Sequence, residues 1–317
     1  MSIYTKKQLA SILHIKPSLL DVLANQPHYR PYVKTKILPN GKTKERLIDN
    51  PGEEIKSVQA IINRTLLQPA VNKLPPFIHG ARPGIGITAS ATLHAAQPAI
   101  LALDIANCFP SINSEMVYRL FRHRFGYSHK VATLLTRLTT FNNHLPQGSP
   151  TSPSLCNLIL APMSEQLFNL GQSLDLRFSQ YVDDLYYSGK INNLICAKKH
   201  AINIVHHHSL HTNSKTHITT KRHSMVVAGA VINQKVSAGR PRIRQLERQI
   251  MKLHSADKFA YLNACRAIRE AQKSRCPIPK YKTRIHSLQG KIANVTALNS
   301  AQGQHLKQKL TRKLASL

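Results

Sequence analysis

The sequence contains seven aspartates, and two of them, Asp183 and Asp184, are neighbours in the segment YVDD. Two carboxylates in one turn repel each other unless a cation lies with them, so the pair favours a divalent metal site. An exposed acidic turn is the alternative. The flanking segments LRFSQ and LYYSG weigh against it, because they predict two strands that would half bury the turn.

Asp104 ends a second apolar run, PAILALD, which predicts another strand. Carboxylates from two neighbouring strands can hold two ions about 3.5 to 4 Å apart, as a two-metal site requires. Mg²⁺ suits such oxygen ligands and keeps waters that leave room for phosphates, with Mn²⁺ as a substitute. Adjacent strand residues face opposite ways, so we expect Asp183 rather than Asp184 to be the main ligand.

The charge of the chain points to a polyanionic partner. Among 317 residues, 44 are Lys or Arg and 14 are Asp or Glu, a formal charge of +30. Such a chain repels itself in isolation, and nucleic acid is the leading candidate partner. A basic surface without function is the alternative. Hydrophobic residues make up 42 %, which is enough for a folded core.

The cysteines and the N-terminus indicate a reducing compartment. Five cysteines are widely spread without a CxxC pair, so they define neither a disulfide framework nor a zinc site. The segment MSIYTKKQLASILHI lacks an apolar signal core, and no apolar run approaches the roughly 20 residues that span a bilayer. We therefore expect a cytoplasmic protein with no membrane association.

The segments before the acids predict the elements that must position them. Apolar spacing predicts two short helices before residue 26, which favour a packed cap over a helix-turn-helix, and one helix over 55–74. Asn40-Gly41 between apolar runs predicts a hairpin. Its five cations, Lys34, Lys36, Lys42, Lys44 and Arg46, form either a solvated surface or a clamp for a triphosphate.

Later segments supply a loop, two more helices and a basic tail. A helix is expected to begin near Ser114. The run LPQGSPTSPSLCNLIL predicts an irregular loop and then a helix with Ser152 as N-cap and Pro153 as first residue. Residues 238–317 contain 18 Lys and Arg against three Asp and Glu, half the net charge in a quarter of the chain. There Ile243, Leu246, Ile250 and Leu253 predict an amphipathic helix whose other faces carry Arg242, Arg244, Arg248 and Lys252.

Three segments in order, DIANCFPSI, LPQGSPTSP and YVDD, resemble the core motifs of reverse transcriptases, and NSKT at 213–216 resembles the motif that follows them. The resemblance covers residues 30–235. It implies an α+β right-hand polymerase with fingers, a palm built on a small antiparallel sheet, and a helical thumb. The implied division is 1–95 for N-terminal helices and fingers, 96–237 for the palm with interleaved fingers elements, and 238–317 for a basic thumb that binds RNA.

The resemblance implies roles for the acids and for one lysine. Asp104 and Asp183 would hold two Mg²⁺ ions, Asp184 would assist, and the carbonyl of Ile105 would be a further ligand. Lys215 matches a lysine that protonates the leaving pyrophosphate and offsets developing negative charge. A solvated loop lysine is the alternative.

The resemblance also implies a nucleotide site. Phe109 matches an aromatic gate that collides with a ribose 2′-OH and so favours dNTPs, although an isolated Phe is more often core. Gln147 and Gly148 match the loop that lies against the nascent base pair, where glycine permits close backbone approach. Arg46 and Lys44 match cations that grip the triphosphate.

Within this superfamily, which includes the group II intron enzymes, HYRPYVKTK, SATLHA at 90–95 and VAG at 227–229 resemble stretches of bacterial retron reverse transcriptases. Two positions depart from the retron pattern. Ser90 replaces the Asn of the family's Asn-Ala-x-x-His, and Ala228 replaces the Thr of its Val-Thr-Gly. His94 keeps the family histidine and is an implied RNA contact. The length also leaves little room for a maturase region or an RNase H domain.

The retron resemblance implies a structured non-coding RNA as template and primer, dNTPs as substrates and a branched, RNA-linked single-stranded DNA as product. It further implies an effector protein encoded nearby and a role in antiphage defence. Another small group II-like enzyme, or a non-catalytic RNA-binding protein with the same fold, are the alternatives. An RNA-dependent RNA polymerase is disfavoured by Phe109. The HHHSLH segment does not favour a metal site. The GARPGIGI segment does not favour a phosphate loop.

Overall fold

The computed structural model describes residues 3–37, 43–214, 216–273 and 283–317. Helices α1 to α5 are Lys6–Leu13, Pro17–Asn25, Glu53–Ile62, Gln68–Val71 and Ile87–His94; α6 to α10 are Cys108–Ser111, Ser114–Arg119, His129–Thr139, Ser152–Ser173 and Ile191–His207; and α11 to α14 are Arg240–Met251, Ser255–Lys273, Arg284–Leu298 and Ser300–Ala315. Strands β1 to β4 are Tyr29–Ile37, Thr43–Pro51, Ala99–Asp104 and Arg177–Tyr181, and β5 to β8 are Asp184–Gly189, His217–Thr220, Val226–Val227 and Ala230–Val231. Two π-helical turns, Asn63–Leu67 and Leu120–Arg124, follow α3 and α7.

The chain divides into two compact units. The first comprises Met1–Gly86 and Pro98–Thr220, and the second comprises Ile87–Gln97 and Lys221–Leu317. The predicted division at 95/96 and 237/238 into fingers, palm and thumb stays a prediction. None of the described helices is long and apolar enough to cross a membrane.

A four-stranded antiparallel sheet with strand order β4-β5-β3-β6 forms the centre of the first unit. Side chains alternate along β3, so Leu101 and Leu103 are buried while Ala102 and Asp104 remain partly exposed. The buried face belongs to the same apolar core as Leu155 of α9. The predicted small antiparallel sheet backed by helices is therefore confirmed, and the alternation aims Asp104 at the open face.

The predicted hairpin and N-terminal helices are confirmed. Strands β1 and β2 pair antiparallel from Tyr29↔Pro51 to Ile37↔Thr43, whereas the predicted Asn40-Gly41 turn lies outside the described residues. Helix α1 begins with a capping box, in which the Thr5 hydroxyl accepts from the Gln8 N–H and the Gln8 side chain accepts from the Thr5 N–H. These N-terminal helices contribute buried leucines to the core of the first unit.

Two local predictions were wrong in detail. The helix expected over 55–74 is interrupted, because α3 ends at Ile62 and a π-helical turn precedes α4. Ser152 is not an N-cap: it is the first residue of α9, Pro153 is the second, and the cap residue Thr151 makes no side-chain capping bond. The Ser152 hydroxyl instead donates to the carbonyl of Pro146 at 2.8 Å, so it fastens the preceding loop to the helix.

The second unit contains the basic tail. Helix α11 has the predicted amphipathic pattern, with Leu246 and Ile250 buried. Helices α13 and α14 pack closely, because a Cβ on Gly303 would lie 2.5 Å from Cα of Thr296. Helix α5 packs on β7 and β8, and the N–H of Ala96 donates to the carbonyl of Ile232 at 3.1 Å. The SATLHA and VAG segments thus belong to one packed unit.

Candidate active site

Asp104 and Asp184 face each other at one end of the four-stranded sheet β4-β5-β3-β6, here called the palm sheet. They are directly opposed in the antiparallel ladder of β3 and β5. Opposed residues project on the same side of a sheet, so both carboxylates lie on its open face. Asp183 lies in the turn just before β5, and its carbonyl accepts the N–H of Ile105 at 3.0 Å. The fold therefore brings the three predicted acids to one sheet end.

The electrostatics of Asp184 show that these carboxylates act on one another. Burial raises the pKa of Asp184 to about 6, and the charges of Asp183 and Asp104 add to this effect. A hydrogen bond from Tyr186 and the charge of Arg46 act in the opposite direction. Three mutually repelling carboxylates at a half-buried site would be stabilised by a cation.

The donor set fits a divalent metal of the Mg²⁺ type. Mg²⁺ is commonly held by one or two carboxylates together with waters and substrate phosphates. Asp104 and Asp183 are both partly exposed, so these additional ligands have access to them. No group of three or more His, Cys, Asp and Glu side chains is arranged as a metal cage within the described parts of the chain.

Asn213 of the NSKT segment contacts Asp104. Its backbone N–H donates to the Asp104 carbonyl at 2.7 Å, and its side-chain amide donates to Oδ2 of Asp104 at 3.3 Å. This contact orients the carboxylate, and the sequence interpretation assigned no role to Asn213. Lys215, whose role in proton transfer was predicted, lies outside the described residues.

The turn that carries Asp183 has a constrained backbone. Val182 has φ +59°, which is unusual for a β-branched residue and must be maintained by its surroundings. The buried side chain of Gln180 donates to the Val182 carbonyl at 2.8 Å and accepts a hydrogen bond from the Ser164 hydroxyl. Gln180 was missed by the sequence interpretation, although its place two residues before Val182 in SQYVDD could have suggested it.

The loop with Gln147 and Gly148 lies against the hairpin formed by β1 and β2, here called the fingers hairpin. Gly148 has φ +135°, and a Cβ at this position would lie 2.9 Å from the carbonyl oxygen of Asp49 on β2. Glycine is therefore required both by the backbone angle and by the close approach to Asp49, whereas the predicted approach to a nascent base pair stays a prediction. Gln147 is half-buried, and its N–H donates to Asp49.

Phe109 lies on α6, shortly after Asp104. Its side chain is partly buried and packs against the core of the first unit. That environment is compatible with both the gate and the core interpretations, so the gate stays a prediction. The preceding residue, Cys108, is buried with its Sγ 3.4 Å from Sγ of Cys156 on α9.

The predicted cationic contacts are distributed over both units. Arg46 is exposed on β2 and its charge acts on Asp184, whereas the side chain of Lys44 lies outside the described residues. In the second unit, His94 is completely buried. The four predicted basic residues of that unit differ in exposure: Arg244, Arg248 and Lys252 are exposed and Arg242 is partly buried.

The profile of one protein family matches residues 34–262, and its description is Reverse transcriptase (RNA-dependent DNA polymerase). The chain belongs to the reverse transcriptases. The matched region contains Asp104, Asp183 and Asp184, and the expected right-hand polymerase fold is confirmed. This reverse transcriptase is an RNA-directed DNA polymerase by family.

Three curated relatives refine the family. The retron Ec86 reverse transcriptase of Escherichia coli is 32 % identical over 225 residues, which cover 70 % of this chain and 69 % of the relative. The retron Se72 reverse transcriptase of Salmonella heidelberg is 29 % identical over 62 % of this chain and 52 % of the relative. The retron Mx65 reverse transcriptase of Myxococcus xanthus is 28 % identical over 77 % of this chain and 62 % of the relative. The reverse transcriptase described here therefore belongs to the bacterial retron group, although the alignments span only about half to two thirds of these relatives.

Among solved structures, telomerase from Candida albicans, in complex with a TWJ fragment of telomeric RNA, aligns over 96 % of this chain and 66 % of that chain. The sequence identity is 12 % and the TM-score is 0.49.

Proposed function

We propose that this reverse transcriptase copies one structured non-coding RNA into single-stranded DNA that remains joined to the RNA, using Mg²⁺ as its cofactor. The observation that carries the chemistry is the convergence of Asp104, Asp183 and Asp184 at one end of the palm sheet. The retron part of the proposal is supported by the three relatives, all of which are named as retron enzymes.

The acids would bind two divalent ions, with Asp104 and Asp183 as ligands, Asp184 assisting and the Ile105 carbonyl as a further donor. When bound, such ions stabilise the attacking and leaving oxygens of phosphoryl transfer. Asn213 holds the Asp104 carboxylate in place through its amide. Lys215 would supply the proton to the leaving pyrophosphate.

The nucleotide would be bound by cationic side chains and selected by steric contacts. Arg46 is an exposed cation close enough to act on Asp184, which suits a contact to the triphosphate. Lys44 would assist it from the same strand. Gln147 and Gly148 would lie against the nascent base pair, and Phe109 would exclude a ribose 2′-OH.

The template would be recognised mainly through its backbone and its shape. Proteins recognise structured RNA through shape, unpaired loops and the 2′-OH, and most affinity comes from phosphate contacts. Arg242, Arg244 and Arg248 of α11, and Lys252 directly after it, would provide such contacts. The buried His94 would act by holding α5, which carries the SATLHA segment, rather than by an exposed contact.

The biological role follows from the retron group. The primer would be the 2′-OH of an internal guanosine in the RNA, which gives a 2′,5′-branched RNA–DNA product. Together with an effector protein encoded nearby, this product would act in defence against phage.

The experiment that tests this function is the isolation of small DNA from cells that express the gene with its flanking sequence. We expect DNA that is linked to RNA and changes mobility after treatment with RNase or a debranching enzyme. Cells expressing Asp183→Asn provide the control and should yield none. Efficient extension of any annealed primer, with no preference for the neighbouring RNA and no RNA-linked intermediate, would contradict the retron function and leave a general reverse transcriptase.

A further inference from the structure

Asp49 is a buried acid that the proposed chemistry does not use. It lies near the end of β2, and it is the only buried Asp or Glu among the residues that the structure describes, with 3 % of its surface exposed. Burial of a carboxylate is costly unless its oxygens accept hydrogen bonds. Its partners therefore show what this residue does.

Asp49 is hydrogen-bonded to the loop before α9. The backbone N–H of Gln147 donates to Oδ2 of Asp49 at 3.2 Å. The Nε2 atom of His144 lies 3.2 Å from the same oxygen. Asp49 thus joins the fingers hairpin to the loop that carries Gln147 and Gly148.

His144 is held rigidly in a tight turn. Phe141 and His144 exchange two backbone hydrogen bonds around Asn142 and Asn143, which have φ +47° and +63°, the pattern of a type I′ turn. Its Nδ1 lies 3.0 Å from the Asn142 carbonyl, which can only accept a hydrogen bond. The turn therefore fixes the ring through Nδ1 and places Nε2 against the Asp49 carboxylate.

A second set of bonds fixes the other end of the loop. The Ser149 hydroxyl donates to Oε1 of Gln59 and also bonds the Thr151 hydroxyl. The Gln59 amide donates to the Tyr29 hydroxyl and to the Leu138 carbonyl. Because Tyr29 begins β1, the loop is tied to both strands of the hairpin.

The position of Asp49 links two parts of the nucleotide site. Arg46 lies three residues earlier on the same strand, and Gln147 is bonded directly to the Asp49 carboxylate. The main chain of Gly148 also lies against Asp49, because a Cβ on this glycine would be 2.9 Å from the Asp49 carbonyl oxygen. Loss of the Asp49 contacts would therefore free the loop to shift relative to Arg46.

We propose that Asp49 is a positioning residue for nucleotide binding, which sets the Gln147–Gly148 loop in register with the strand that carries Arg46. The proposal rests on the proposed role of Gln147 at the nascent base pair. Asp49 itself contacts no reacting atom in this scheme. It acts through the loop, so its removal should weaken nucleotide binding more than it slows the chemical step.

The test compares Asp49→Ala, Asp49→Asn and His144→Ala with the unaltered protein. Steady-state kcat and KM for dNTP are measured on one primed RNA template, with thermal unfolding as a measure of folding. Asp21→Ala is the matched control, because it also removes one aspartate but from an exposed ion pair with Lys6. Gln147→Ala is measured in parallel.

Loss of a hydrogen bond to a charged group corresponds to about a tenfold rise in KM for Asp49→Ala, with kcat changed less than about threefold. Asp49→Asn keeps an oxygen that accepts from Gln147 and should restore most of the affinity. His144→Ala should raise KM by about threefold or more, since it removes one of the two partners of the Asp49 carboxylate but leaves the bond to Gln147. Asp21→Ala should match the unaltered protein.

Three outcomes overturn the proposal. An unchanged KM in a folded Asp49→Ala, while Gln147→Ala raises it, shows that Asp49 does not position the loop. Equal loss of kcat in Asp49→Ala and Asp49→Asn, with KM unchanged, shows a purely structural role. If Asp49→Ala does not fold, an unchanged KM in His144→Ala decides against the proposal. An unchanged KM in Gln147→Ala would instead refute the proposed role of Gln147.

Discussion

Gly80 lies so close to Val182 that a Cβ on the glycine would stand 2.5 Å from the Val182 backbone nitrogen. The same segment is joined to the strand before the acidic turn, because the N–H of His79 donates to the Gln180 carbonyl at 2.8 Å. The Gly80 carbonyl also accepts a hydrogen bond from the Asn157 side chain. The Gly80 segment thus supports the strained turn that presents Asp183.

The first prediction concerns Gly80→Ala. The added methyl group meets backbone rather than a flexible side chain, so the turn must shift, and such overpacking costs about 1 to 3 kcal/mol. A displacement of about 1 Å at catalytic groups can lower the rate by about 10²-fold. Primer extension and thermal unfolding measure both effects. The control is Gly86→Ala, where a Cβ meets nothing within 4 Å; equal activity of the two variants would contradict the supporting role of Gly80.

The second prediction concerns the acids. Asp104→Asn or Asp183→Asn should lower DNA synthesis by at least about 10³-fold, because metal ions contribute several kcal/mol to phosphoryl transfer. RNA binding should remain, since most affinity comes from phosphate contacts elsewhere. Primer extension and RNA binding are measured on the same preparations.

Two comparisons complete this test. Asp175→Asn is the matched control, since Asp175 is exposed and its φ of +51° suits asparagine. Asp184→Asn should retain more activity than Asp183→Asn if Asp184 only assists. Full activity in Asp104→Asn or Asp183→Asn would refute the site.

The parts of the site that local patterns encode were predictable. The YVDD turn, the strand that ends at Asp104 and the hairpin before residue 51 are each marked by residues within a few positions of one another. The fold class also followed, because three motifs in order carry the resemblance to the reverse transcriptases.

The supporting contacts were not predictable from local patterns. Gly80 meets Val182, and Asp49 meets Gln147, across about a hundred residues of sequence, and no periodicity reports such pairs. The π-helical turn after Ile62 and the bond from Ser152 to Pro146 depend on tertiary packing, which overrides helix and cap preferences.

The third prediction concerns Phe109→Val. A smaller side chain should admit a ribose 2′-OH, and discrimination between dNTP and NTP should fall by about ten- to hundredfold, as expected for loss of steric exclusion in a pocket. Single-nucleotide incorporation of dGTP and GTP measures this ratio. Phe125→Val provides the control, because Phe125 packs in an aromatic cluster with Phe121 and Tyr127. Unchanged discrimination in folded Phe109→Val would leave Phe109 as an ordinary core residue.

The last prediction concerns the exposed cations near α11. Replacing Arg244, Arg248 and Lys252 by Gln should weaken RNA binding and flatten the dependence of log K on log salt, because fewer counterions are released. The slope should fall by about 0.7 to 0.9 for each phosphate that the variant no longer neutralises. The comparison protein carries Gln in place of Lys190, Lys198 and Lys199. These lysines lie at the N-terminal end of α10 and along that helix, so the same number of charges is removed elsewhere. Binding is measured by filter retention at several salt concentrations with the neighbouring RNA. An equal slope in the two triple variants would show that the cations of α11 do not touch the RNA, and that the charge of this segment is ordinary solvated surface.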